Sequence, residues 1–349
     1  MQTPRIDTVR LSDDGSALVI IDQTLLPGEL KYLSLTKTED IWEAIRALRV
    51  RGAPAIGVAA GFGAYLAAKH APAGEAERSF CAACDYLATS RPTAVNLFYA
   101  LERMRAAMGR LAGRPEGEIV AGLRAEAQAI MDDDLEMSRR MGEHGRALIK
   151  PGMGILTHCN AGALATSGLG CGLAPVYAAL DAGVEGLRLY CDETRPLLQG
   201  ARLTAFEGMA LGLDTTLLCD NMASSLMKEG KVDIIIVGCD RVAANGDTAN
   251  KIGTSGVAIL AKHYGVPFYV CGPSSSIDMA LKSGAEIPIE HRAPEEVTEL
   301  WYAQRMAPAG VKVYNPAFDV TDAALIAGII TEHGIARAPF EEDFRRWGL

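Results

Sequence analysis

The stretch KVDIIIVGCDR, residues 231–241, decides how the second half of this chain folds. Its apolar run is short, β-branched and without polar alternation, so it reads as a strand buried on both faces. Working outward, runs of the same kind recur at 153–157 (MGILT), 187–191 (LRLYC), 215–219 (TTLLC) and 266–271 (VPFYVC), and helical stretches separate most of them. Strands buried on both sides and alternating with helices predict a parallel sheet covered on both faces. A short strand at 311–314 and a helix at 321–333 are expected to close the chain. The reading is a Rossmann-like, doubly wound domain over 148–349.

The first half has another rhythm. Residues 16–36 read as two short strands around the Pro27-Gly28 turn. Helices are expected over about 38–50, over the Ala- and Gly-rich segment 54–70, and as two or three amphipathic stretches within 93–148, interrupted near Gly113-Arg114-Pro115. Residues 1–147 are therefore expected to form a mainly helical domain with a small β start, and the fold class is α/β.

Composition narrows the function. The chain has 349 residues, and its formal net charge of −9 argues against a nucleic-acid partner, which requires a basic surface. A single phosphate is another matter, because a few arginines and helix N-termini can hold one inside an acidic protein. No apolar stretch is long enough to span a bilayer and no membrane partner is expected. The cysteines lie mostly within apolar runs, as small hydrophobes in a reducing cytoplasm do. Cys81 and Cys84 form a C-x-x-C, but it falls on a predicted helix with no second Cys/His cluster nearby to complete a zinc site.

In open α/β sheets ligands bind outside the carboxyl ends of the strands. Those ends here carry His158-Cys159-Asn160, Asp192-Glu193-Thr194-Arg195, Asp220-Asn221, Asp240-Arg241 and Gly272-Pro273-Ser274. Cys159 is expected to start a helix, where backbone N–H groups favour thiolate; a small residue filling a tight turn is the alternative. His158 should point to the other face and pack there. Asp240 ends the most apolar run, so one-sided desolvation would suit it to general acid work, although a helix cap explains it too. Asn245-Gly246-Asp247 reads as a turn, with Asn250 and Lys251 opening a helix to about His263. Arg51-Gly52-Ala53 lies at a junction between helices, where backbone and guanidinium could meet phosphate. Arg91 precedes another helix, and Gln199 lies on the strand-end side. The glycines at 168–172 are not at a strand–helix turn, so a dinucleotide site is not expected.

Several long segments, taken together, resemble the methylthioribose-1-phosphate isomerase family. They are RGAPAIG (51–57), SRPTAVNL (90–97), THCNAGALAT (157–166), DETRPLLQGARLTAFE (192–207), GCDRVAANGDTANKIGT (238–254) and NPAFDVT (315–321). The resemblance implies catalytic roles for Cys159 and Asp240. It implies substrate contacts from Arg51, Gly52, Ala53, Arg91, Gln199, Asn250 and Lys251. It also implies a phosphorylated pentose as substrate, a homodimer, and neither cofactor nor metal. Cys239 and Cys191 stand where the family often has Ala and Val. Isomerases of 5-deoxyribose 1-phosphate and ribose 1,5-bisphosphate share the fold, as do regulatory subunits of a translation-initiation exchange factor, which are related binding modules.

Overall fold

The computed structural model describes residues 5–92 and 94–349; Thr93, in the SRPTAVNL run, lies outside them. The chain divides into two compact units, one of residues 5–137 with 163–170, the other of 138–162 with 171–349.

The first unit begins with an antiparallel sheet, β1 (Val9–Leu11), β2 (Leu18–Ile21) and β3 (Tyr32–Leu35), in that order. The Pro27-Gly28 turn separates β2 from β3 as expected. The three-residue β1, with an arginine in its middle, carries too little pattern to stand out. Next come the helices α1 (Thr38–Arg46), α2 (Ala53–Lys69), α3 (Ala76–Ala88) and α4 (Val95–Leu111). α2 is the centre of this unit, buried on almost every side from Ala55 to Leu66. Its glycines explain how: a Cβ on Gly57 would lie 2.7 Å from the Asn96 carbonyl oxygen of α4. Small residues bring the backbones together while Phe62, Tyr65 and Leu66 fill the remaining space, each apolar side chain contributing about 1.5–3 kcal/mol by burial. Cys81 and Cys84 lie on α3, as the sequence indicated, and burial pushes the Cys84 thiol up to about 12. The long helix α5 (Glu116–Arg146) begins in this unit, and the division between the units falls within it.

The second unit holds a seven-stranded sheet. Its elements are β4 (Gly154–Thr157), α6 (Ala174–Asp181), β5 (Arg188–Asp192), α7 (Ala205–Ala210), β6 (Asp214–Leu218), α8 (Ala223–Lys228) and β7 (Ile234–Val237). They continue with β8 (Arg241–Ala243), β9 (Thr248–Lys251), α9 (Thr254–Tyr264), β10 (Phe268–Cys271), β11 (Ile277–Asp278), α10 (Glu295–Thr298), β12 (Phe318–Thr321), β13 (Gly328–Thr331), β14 (Gly334–Ala336) and α11 (Phe340–Arg346). The large sheet runs β14-β13-β10-β7-β4-β5-β6, parallel throughout except for the last hairpin. One face packs Leu156, Ile235, Val237 and Val270 against α8, α9 and α11. On the other, Gly208 of α7 meets Leu189, and the end of α5 lies against α6 through Gly142 and Gly145. Helices on both faces confirm the doubly wound reading.

The carboxyl-terminal expectations fail in part. Residues 311–314 form no strand, and 321–333 are not a helix but the end of β12, a 3-10 turn at Ala323–Leu325 and β13. The run Ala323–Ile330 fits helical and extended spacing alike. Parallel pairing with β10 and a return hairpin through Gly334 select the strand.

Order in the sheet fixes where a ligand can bind. From β4 the chain builds outward through β5 and β6, then returns to the other side of β4 and builds through β7, β10 and β13. The topological switch therefore lies between β4 and β7, which opens a crevice at their carboxyl ends.

Candidate active site

Cys159 and Asp240 leave the two strands that flank this switch. β4 and β7 are hydrogen-bonded neighbours in register Ile155↔Ile234 and Leu156↔Ile235. Strands so paired run about 4.8 Å apart, so the segments carrying the thiol and the carboxyl start side by side.

No helix starts at Cys159. The residue takes a left-handed conformation, φ 67, and the chain then turns into a 3-10 segment at Ala163–Ala165; α6 begins only at Ala174. The expected helix-terminal stabilisation of the thiol is therefore not available from α6. Instead Cys159 N–H donates to Thr194 Oγ1 at 2.8 Å, and its carbonyl accepts from Thr204 Oγ1 at 2.7 Å. Its side chain is half-buried. Burial pushes the thiols of Cys191, Cys239 and Cys271 upward and disfavours thiolate in each.

His158 is packed, as its position on the opposite face suggested. Its Nε2 lies 2.8 Å from Ile252 O and its Nδ1 3.1 Å from Asp192 Oδ2, and both side chains are fully buried. A carbonyl only accepts, so Nε2 carries a proton. Nδ1 then faces a carboxylate, and one further proton must lie between them. Burial alone would push His158 down; the Asp192 carboxylate, with Asp220 behind it, outweighs that and raises it. Burial likewise drives Asp192 up against the opposing pull of His158. The pair thus retains a shared proton inside the protein. Asp220 completes a cluster with His158 and Asp192 whose donor atoms lie within 4.8 Å of one another. His158 Nδ1 and Asp192 Oδ2 face each other, while Asp192 Oδ1 is buried with no hydrogen-bond partner among the described residues. Asp220 accepts Thr194 N–H at 2.7 Å and Arg195 N–H at 2.8 Å, which leaves its carboxylate serving the loop after β5.

Asp240 departs from expectation in its surroundings. The buried run ends at Gly238; Cys239 is half-buried and Asp240 exposed. Asp240 lies beyond Val237, the last paired residue of β7, and outside the buried run that precedes it. Its backbone N–H donates to Ala249 O at 2.9 Å. That bond continues the β8–β9 hairpin, whose turn is Asn245-Gly246-Asp247. Asn250 and Lys251 accordingly end strand β9 rather than opening a helix; α9 starts at Thr254 after Gly253 at φ 104. Arg241 also pairs with Ala249, so Asp240 and Arg241 oppose one residue of β9 and the ladder bulges at Asp240. Asn250 is buried with Nδ2 3.1 Å from Thr254 Oγ1, while Lys251 Nζ lies 4.4 Å from the Phe318 ring centre.

Gln199 precedes a π-helical turn, Gly200–Thr204, at the carboxyl end of β5. Its Oε1 is buried with no protein hydrogen-bond partner among the described residues. Leu198 and Thr194 nearby share the left-handed conformation of Cys159, at φ 56 and 64. Backbone strain and π-turns concentrate at functional sites. Cys159, Asp240, Gln199, Asn250 and Lys251 thus all belong to the strand-end region of one unit. Arg51, Gly52, Ala53 and Arg91 belong to the other unit. There Gly52, at φ 90, caps α2, and a Cβ on it would lie 2.3 Å from Ala165 O. Sequence reasoning missed Thr204 and the buried Glu207, which accepts from Asn160 Nδ2 at 2.7 Å. An acid and a threonine on a short helical stretch give no outward sign of such a role.

Residues 49–338 match the model of the Initiation factor 2 subunit family. A methylthioribose-1-phosphate isomerase of Symbiobacterium thermophilum is 62% identical over 344 residues, covering 98% of this chain and 96% of that protein. A 5-deoxyribose 1-phosphate isomerase of Petrotoga mobilis is 55% identical over 341 residues, covering 97% of this chain and 98% of that one. The crystal structure of 5-methylthioribose 1-phosphate isomerase from Pyrococcus horikoshii OT3 superimposes with a TM-score of 0.92 at 46% identity, covering 98% of this chain and 95% of the other.

Proposed function

The chain belongs to the initiation factor 2 subunit family, and we propose that it is an isomerase converting 5-methylthioribose 1-phosphate to 5-methylthioribulose 1-phosphate in methionine salvage. The observation that carries the reading is local. A thiol held in a left-handed turn and a carboxyl leave the two strands that bound the topological switch.

The substrate's C1 phosphate blocks spontaneous ring opening, so the enzyme must assist cleavage of the bond between C1 and the ring oxygen. In the proposed sequence Asp240 gives its proton to the ring oxygen as that bond breaks. Cys159, as thiolate, removes the proton on C2, and the released electron pair forms the C1–C2 double bond of an enol. The thiol returns that proton to C1, the C2 hydroxyl proton passes to the Asp240 carboxylate, and the ketone results. Both groups end as they began. Because Asp240 is exposed in the chain alone, its general acid role depends on substrate covering it and excluding water. That same exposure gives weight to a second reading. Asp240 could begin as a carboxylate, take the C2 hydroxyl proton while hydride shifts from C2 to C1, and hand that proton to the ring oxygen.

Contacts to phosphate and hydroxyls from Arg51, the Gly52-Ala53 backbone, Arg91, Gln199, Asn250 and Lys251 are part of the proposal, as is a homodimeric assembly. Purified protein incubated with the three candidate sugars tests the function directly. Turnover should be greatest with the methylthio sugar, lower with 5-deoxyribose 1-phosphate, and least with ribose 1,5-bisphosphate. Absence of isomerisation with all three would leave a non-catalytic regulatory module as the reading. Cys159→Ser and Asp240→Asn should each lower kcat by about 100-fold or more, the usual scale for an acid–base group. Deuterium at C2 separates the routes, since substantial loss of label to solvent excludes direct hydride transfer.

A further inference from the structure

The left-handed turn at Cys159 is held from both of its peptide groups, and the holding groups are two buried hydroxyls. Were β4 to continue regularly, alternation would send the Cys159 side chain to the face of Ile155 and Thr157, both buried. A φ of 67 breaks that alternation at a cost of about 1–2 kcal/mol for a residue with a Cβ. Something must stabilise it.

Thr194 Oγ1 donates its proton to Asp192 O at 3.0 Å, which turns its lone pairs toward Cys159 N–H at 2.8 Å. Thr204 Oγ1 donates to Cys159 O at 2.7 Å and accepts from Asn160 Nδ2 at 3.2 Å. Each threonine is supported in turn. Asp220 accepts the Thr194 N–H at 2.7 Å, and Glu207 holds Asn160 Nδ2 at 2.7 Å. Both threonine side chains are buried, and both hydroxyl directions are set by these partners.

We propose that Thr194 and Thr204 are positioning residues for the isomerisation, clamping the Cys159 backbone so that its thiol projects from the end of β4 into the crevice at the switch. The inference rests on Cys159 being the reacting thiol. Neither hydroxyl is assigned to substrate; each acts through the cysteine.

The test uses Thr194→Val and Thr204→Val, which keep shape and remove the hydroxyl, beside Thr194→Ser and Thr204→Ser, which keep the hydroxyl. Steady-state kinetics with 5-methylthioribose 1-phosphate is paired with the rate of iodoacetamide alkylation at Cys159, followed by peptide mass spectrometry with exposed Cys219 as internal reference. Each valine variant should lower kcat about 10-fold or more, with KM within about 3-fold, and should change alkylation at Cys159 but not at Cys219. Each serine variant should restore most of the kcat. Valine variants with unchanged kcat, losses confined to KM, or serine variants as impaired as valine ones would overturn the proposal. Where a valine variant does not fold, alanine takes its place in the same comparison; if neither folds, the threonine is a folding residue and the proposal fails there. Cys159→Ala is the separating control. If it retains activity, the catalytic reading of Cys159 falls; if it is inactive while the valine variants are normal, only the positioning role falls.

Discussion

Replacing Asp192 by asparagine should be far milder than replacing it by alanine, and the difference should depend on pH. In Asp192→Ala the protonated Nδ1 of a fully buried imidazole loses its partner, as does the negative charge that holds the proton there. Removing one member of a buried ion pair costs about 3–5 kcal/mol. In Asp192→Asn the side-chain amide can donate to the Nδ1 of a neutral imidazole while Nε2–H keeps Ile252 O, so every bond is remade and the cost should be about 1 kcal/mol. The charged groups facing His158 are Asp192 and Asp220, and together they raise it despite burial. A folded value above the unfolded one contributes stability that is fully present below about pH 6.5 and is lost as pH rises through the folded value. Where the folded pair keeps one proton more than the unfolded chain, stability falls by about 1.4 kcal/mol per pH unit. Asp192→Asn removes that proton, so its deficit against the unsubstituted chain should shrink steadily above about pH 6.5. Urea unfolding at pH 6, 7 and 8 measures this. Equal damage from asparagine and alanine, or a deficit that stays constant or grows with pH, would refute the shared-proton reading.

Other perturbations test the same structure. Asp134, buried and accepting Ser167 N–H at 2.6 Å, is raised by that burial from the ordinary 3.8 to about 6. Its favourable contribution is therefore present below about pH 4 and lost by about pH 6, and Asp134→Asn should stabilise the protein at pH 7.5 by about 1–3 kcal/mol in thermal or urea unfolding. Gly52→Ala forces a Cβ to 2.3 Å from Ala165 O at a φ of 90. It should cost about 2–5 kcal/mol and raise hydrogen exchange selectively in residues 163–170. Gln199→Met relieves a buried oxygen without a protein partner and should raise unfolding stability while raising KM, a pairing of opposite signs that a purely structural glutamine would not give.

What was legible in the sequence, and what was not, has physical causes. Four strands of the large sheet, β4, β5, β7 and β10, announce themselves because burial on both faces leaves no polar alternation, as in Ile234–Val237; the run at 215–219 was read the same way, yet β6 is an edge strand and largely exposed. Their ends fix the site's location. The register across them does not show in sequence, and Thr194 and Thr204 work on Cys159 from 35 and 45 residues away. Nor does a cysteine advertise a left-handed turn, for which glycine or asparagine is the usual signal. The turn at Asn245-Gly246-Asp247 was readable, but the flanking three- and four-residue strands were too short to outweigh the helix that begins at Thr254. Asp240 illustrates a limit of inference from hydropathy: the apolar run before it is buried, yet burial stops two residues earlier at Gly238.

Residues 163–170 belong with the amino-terminal helices although β4 precedes them in the chain. Thr8 donates to Ala163 O at 2.8 Å, Gln23 to Leu164 O at 2.8 Å, and Asp134 receives Ser167 N–H. During synthesis, then, the helical unit cannot finish folding when its own helices have emerged. It must wait for a return segment that arrives only after the first strand of the next unit has been made. A truncation ending at the close of α5 should therefore yield not a small stable domain but a protease-sensitive fragment, one that supplying residues 163–170 as a peptide would tighten.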